Sequence, residues 1–139
     1  MTATKTAIAA LALATVAFSA PAFADKMKAT LNGASEVPAN TTAGTGTADI
    51  DFDPASKKLT WKLSYSGLTG AATAAHFHGP AEPGKNAGVA VPIAPATSPS
   101  EGSATLTDAQ AADLVAGKYY VNVHTAANPA GEIRGQVTK

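Results

Sequence analysis

The sequence predicts an all-β, antiparallel domain, a sandwich or barrel-like fold of about eight short strands with one short helix. Three observations predict it. Apolar and polar residues alternate at period two in several short runs. Gly, Pro, Asn and Ser separate those runs at close intervals. A single segment, "TDAQAADLVAG", has helix signals instead: Thr107 as N-cap, Gln110 completing a capping box, and Gly117 as the stop.

Taken in order, "KMKATLNG" opens the domain and the Pro-containing "SEVPAN" follows it. In "TADIDFD", Ala48, Ile50 and Phe52 share one face, with Thr47, Asp49, Asp51 and Asp53 on the other. Across the turn "DPASKK", the run "LTWKLSY" aligns Leu59, Trp61, Leu63 and Tyr65, so the two runs form an antiparallel hairpin. After a break at Gly67–Gly70, "ATAAHFHG" is a fourth strand, "PAEPGKNAG" a turn-rich loop and "VAVPI" another strand. "PATSPSEG" reads as a loop and "GSATL" as the strand before the helix. "KYYVNVHT" and "GEIRGQVT" close the chain as a hairpin through "AANPAG". The aspartates of "DIDFDP" lack the Gly turn and distal Glu of a calcium loop and read as a solvated edge.

The first 24 residues read as a signal peptide, with residues 25–139 as one domain. Lys5 precedes the apolar run "AIAALALATVAFSA", and "AFA" at 22–24 has the small-x-small form of a cleavage site. The run is too short and Ala-rich to span a bilayer. No Arg pair precedes it, which favours general secretion over the twin-arginine route. The expected location is therefore across the inner membrane, periplasmic or extracellular. Cysteine is absent, which excludes a lipoprotein anchor, disulfides, thiolate metal sites and Cys nucleophiles. Lys+Arg and Asp+Glu are ten each, with no basic run interleaved with aromatics, so neither nucleic acid nor anionic lipid is an expected partner.

The chain has three histidines. In "AAHFHG", Phe77 marks the core face, so His76 and His78 share the opposite one, about 6.5–7 Å apart along the strand. In "KYYVNVHT", Tyr119, Val121 and Val123 face inward, leaving Tyr120, Asn122 and His124 outward. In "GEIRGQV", Ile133 and Val137 face inward, leaving Glu132, Arg134 and Gln136 outward, and the hairpin brings Glu132 near His124. If the "HFH" strand lies beside the "YVNVHT" strand, His76, His78 and His124 form a three-nitrogen site suited to copper, zinc, nickel or iron. Glu132 is a candidate fourth ligand or an outer partner of a ligand histidine. The same pattern also fits a polar face without metal. There Asn122, His124 and Thr125 cap the turn, and Glu132 and Arg134 form a surface ion pair worth under about 1 kcal/mol.

Three segments, "AAHFHGPAEPGKNAGVAVPI", "LTDAQAADLVAGKYYVNVHT" and "NPAGEIRGQV", resemble the chordin-type, or CHRD, domain. The likeness extends to "ATLNGASEVPAN" and "LTWKLSYSGLTG" and covers nearly all of residues 27–138. Its motif positions fall on His76, His78 and Gly79, on Tyr120, Asn122, His124 and Thr125, and on Gly131, Glu132, Arg134 and Gly135. The resemblance implies a Greek-key, immunoglobulin-like β-sandwich or related barrel in a single-domain secreted bacterial protein. It implies no established activity.

Two functional readings follow. One is a secreted module binding copper or zinc through His76, His78 and His124, with Glu132, Asn122, Arg134 and Tyr120 as a fourth ligand or its surroundings and no organic cofactor. The other is a non-enzymatic interaction or structural module without metal, meeting an envelope or extracellular protein. An enzyme is less favoured than a binding module. A copper/zinc superoxide dismutase needs more histidines and a zinc-binding Asp, and a Ser hydrolase needs a G-x-S-x-G elbow. Exposed edge strands permit dimerisation, and the oligomeric state stays open.

Overall fold

The computed structural model describes residues 23–139. The predicted signal segment lies outside the described residues except for its last two positions. The strands are β1 (Asp25–Asn32), β2 (Thr45–Asp53), β3 (Lys58–Ser66), β4 (Ala72–His78), β5 (Val89–Ile93), β6 (Ser100–Thr105), β7 (Tyr120–Thr125) and β8 (Ile133–Gln136), with helix α1 (Asp108–Val115) between β6 and β7. The β2–β3 hairpin pairs from Asp53↔Lys58 out to Thr45↔Ser66. Its turn is held by the Asp53 carboxylate, which accepts from the Ala55 amide and the Ser56 hydroxyl. The capping box of α1 forms as its sequence dictates: Thr107 Oγ1 accepts from Gln110 N, and Gln110 Oε1 accepts from Thr107 N.

All eight strands belong to one antiparallel sheet of order β5-β4-β7-β8-β1-β2-β3-β6, rather than to two separately hydrogen-bonded sheets. The sheet curls until it is nearly a barrel. Trp61 on β3 and Phe77 on β4 stand far apart in strand order, yet their rings meet edge to face at 5.4 Å across the interior. The edge strands β5 and β6 approach each other, and α1 carries the chain between the two halves, burying Leu114. The core is the alternating set the sequence marks, with Ile50, Phe52, Leu59, Leu63, Phe77, Val121, Val123 and Ile133 all buried.

One expectation fails. The polar face of β4, β7 and β8 is not outward: Tyr120, Asn122, Glu132 and Arg134 are all buried. The reason is tertiary. Residues 33–44 and 79–88 fold over this face and are tied together by Asn86 Nδ2, which donates to Val37 O at 3.2 Å. Strand period identifies which side chains share a face; it is blind to a loop laid across that face.

Candidate metal centre

Strands β4 and β7 are antiparallel neighbours, with His78↔Tyr120, His76↔Asn122 and Ala74↔His124 in register. That adjacency, which the sequence left open, places His76, His78 and His124 together. One nitrogen from each ring lies within 4.8 Å of the other two. The closest pair, His76 Nδ1 and His124 Nε2, is 3.2 Å apart. Two nitrogens on a tetrahedral metal with bonds of 2.0–2.1 Å stand about 3.3 Å apart, so this edge already has ligand spacing. It also has hydrogen-bond spacing, with His76 Nδ1–H donating to His124 in the absence of metal.

Two of the three rings are held by backbone carbonyls. His78 Nδ1 is 2.9 Å from Ala87 O, and His124 Nδ1 is 2.9 Å from Pro129 O. A carbonyl only accepts, so both Nδ1 atoms bear a proton, and in the neutral form of each ring Nε2 presents its lone pair. This is the outer bonding that metal-ligating imidazoles use. His78 Nε2 is buried without a hydrogen-bond partner.

Tyr120 builds the His78 side of the site. Its ring stacks on His78 with centroids 4.9 Å apart and planes 2° from parallel. Its hydroxyl donates to Ala87 O and accepts from Ala87 N, bracing the carbonyl that holds His78. From β8, on the other side of β7, the Arg134 guanidinium lies 3.5 Å over the Tyr120 ring centroid. Arg134 also donates to Asn86 Oδ1 at 2.8 Å and to Lys85 O. Asn122, between Tyr120 and His124 on β7, faces His76 on one side and Arg134 on the other.

Residues 27–137 match the family model described as CHRD domain. The chain belongs to the CHRD domain family. No curated protein sequence and no solved structure matches it.

In this CHRD domain Glu132 stands apart from the histidines. Gly131, at φ +132°, precedes it in a conformation that favours glycine. The carboxylate of Glu132 turns to the loops: Oε1 accepts from Thr42 Oγ1 and from Thr69 N, each at 2.9 Å. Burial pushes its pKa up, but the Thr69 amide and the Thr69, Thr42 and Thr125 hydroxyls outweigh that and hold it below the usual carboxylate value. The expected proximity of the Glu132 carboxylate to His124 is replaced by this threonine cradle. The expected Glu132–Arg134 ion pair is replaced by the Arg134 contacts to Asn86, Lys85 and Tyr120.

A residue missed in the sequence is Glu36, in "SEVPAN". It is buried beside Asn122, Gly131 and Arg134. It reaches the site from a loop, where no periodicity marks it. Burial pushes its carboxyl up to about 7, against the opposing pull of Arg134, the Val37 amide and the Asn122 amide. Burial also lowers the pKa of His76, helped by the His124 and His78 imidazoles, and burial lowers that of His78. These two imidazoles are therefore neutral and available as ligands at pH 7.

The raised Glu36 value has a sign. Its contribution to stability is fully present below 4.5 and is lost as pH rises through about 7, because folding favours the neutral acid. Glu36→Gln removes that loss. In urea titrations across pH the variant is expected to gain on the wild type as pH rises, by about 2–3 kcal/mol once Glu36 is ionised. Parallel stability curves would mean that Glu36 is not ionising against its surroundings.

Proposed function

We propose that this CHRD domain is an exported copper- or zinc-binding module whose ligands are His76, His78 and His124. The observation that supports it best is the convergence of three imidazoles within 4.8 Å, two of them with Nε2 lone pairs set by Ala87 and Pro129 carbonyls. Imidazole nitrogens suit both metals. Three protein ligands leave a fourth position open. Export to the periplasm or beyond rests on Lys5, the apolar run and "AFA" at 22–24. We read the curled sheet as a Greek-key relative of the immunoglobulin-like sandwich, because α1 links its two halves and Trp61 meets Phe77 between them.

A second reading, an interaction or structural module without metal, is favoured by one fact: the 3.2 Å contact of His76 and His124 is a satisfactory hydrogen bond as it stands. X-ray absorption on protein loaded with copper or zinc separates the two. The metal reading expects a first shell containing three imidazole nitrogens; the second reading expects no retained metal.

A further inference from the structure

Arg134 is the chain's one arginine, and it is 2% exposed. A guanidinium does not lose its charge in a protein, so a buried one is ordinarily paired with an opposite charge. Among the described residues every ion pair is made by a surface lysine, and no carboxylate lies at ion-pairing distance from Arg134. The Tyr120 ring offers it a quadrupole and not a counter-charge. Its bonds to Asn86 Oδ1 and Lys85 O use only part of its set of N–H donors. Glu36 acts on it through space, but burial holds that carboxyl up to about 7, so below neutrality Glu36 is the uncharged acid.

Arg134 and Glu36 both line a cleft of about 250 Å³ between the loop after β1 and the 79–88 strap. One wall is the short 3-10 turn Gly33–Ser35, fixed by Asn32 Oδ1, which accepts from Ser35 N at 2.9 Å. The other is the strap at Pro83 and Gly84, where Gly84 takes the left-handed conformation at φ +79°. The Asn86 bond to Val37 O ties the two walls together. Gln136 also lines the cleft, but its Nε2 is spent on Ala81 O and Gly117 O. Below neutrality the cleft therefore carries one formal charge, the guanidinium. Its volume is under the range of about 300–1,000 Å³ that takes drug-sized ligands, so an occupant is small.

We propose that this cleft binds a small monocarboxylate, held by the Arg134 guanidinium, with its short apolar tail against Val37 and Pro83. A carboxylate presents two coplanar acceptors that match the guanidinium fork, and it supplies the opposite charge that the chain does not. The side chains of Val37 and Pro83 suit an aliphatic tail and give a second anionic group nothing to bind. This site is independent of metal binding, since the Tyr120 ring stands between Arg134 and His78.

The test titrates sodium acetate into the metal-free protein at about pH 6, below the Glu36 value, with sodium chloride at equal ionic strength as the reference. Backbone and arginine N–H signals are followed by NMR. Acetate is expected to shift the Ser35 and Gly84 amides and the Arg134 Nε–H saturably, with a dissociation constant of about millimolar size. Arg134→Gln is expected to weaken acetate at least about tenfold. Should Arg134→Gln not fold, Ala34→Leu narrows the cleft from its exposed wall and is expected to weaken acetate by a similar factor. No saturable shift in the wild type, or the same shift with chloride, overturns the proposal. Equal acetate affinity in a folded variant also overturns it. Phosphate bound more tightly than acetate overturns the carboxylate class.

Discussion

A His78→Ala variant is expected to hold copper or zinc at least about a hundredfold more weakly than the wild type. Outer hydrogen-bond partners of a ligand histidine alone are worth about 10–100-fold in metal affinity, and this change removes the ligand itself. His78 is the best prepared of the three rings. It is the most buried, it stacks on Tyr120, and its tautomer is set by Ala87 O. Competition against a chelator of known affinity measures the loss. The fold should survive, because the substitution removes an unpartnered Nε2 along with the ring. Wild-type affinity in a folded His78→Ala protein would show that metal sits elsewhere.

Glu132→Ala is expected to act on the other axis, costing about 3–5 kcal/mol of stability while the folded protein keeps its metal. Glu132 is fully buried, and its carboxylate receives the Thr69 amide and the Thr42 hydroxyl. Alanine leaves those donors unpaired and opens a cavity where three chain segments meet. Against a total stability of about 5–15 kcal/mol, the loss is large enough to read directly in urea. Its pH dependence has a definite sign. With the folded value depressed, the carboxylate's contribution is present above 4.5 and is lost as pH falls through the folded value. A small stability change together with lost metal would instead make Glu132 a ligand.

The contrast between these two residues shows what a sequence can and cannot convey. Alternation in "TADIDFD" and "LTWKLSY" places Ile50, Phe52, Leu59 and Leu63 in the core, where they are. The Thr107–Gln110 box marks α1 because capping is local chemistry. Phe77 and Val121 fix the parity of β4 and β7, and that parity puts all three histidines on one face. The pairing of β4 with β7 was beyond reach, since it joins segments nearly fifty residues apart and no local pattern encodes it. Glu132 shows a sharper limit. It lies one residue before β8, where the bend at Gly131 breaks the strand rule, so its carboxylate follows the loops and not the alternation. Glu36 has no periodicity to mark it, because a loop delivers it.

Burial of the polar face changes what that face can do. An exposed row of histidines exchanges freely with solvent, whereas here the strap of residues 79–88 fixes Ala87 O against His78 and Tyr120. The turn 127–131 fixes Pro129 O against His124 in the same way. His76 alone has no backbone partner for its ring and hydrogen-bonds His124 instead. A metal held by these three rings would ask for a tautomer change at one ring rather than at three, a preorganised arrangement that would lower the cost of binding.

X-ray absorption on copper- or zinc-loaded protein tests most directly whether His76, His78 and His124 are one metal site. The expected result is a metal with three imidazole nitrogens at about 2.0–2.1 Å and the outer-ring scattering that identifies histidine. A loaded metal surrounded by oxygen alone, or no retained metal, would contradict it and return the three histidines to hydrogen bonding.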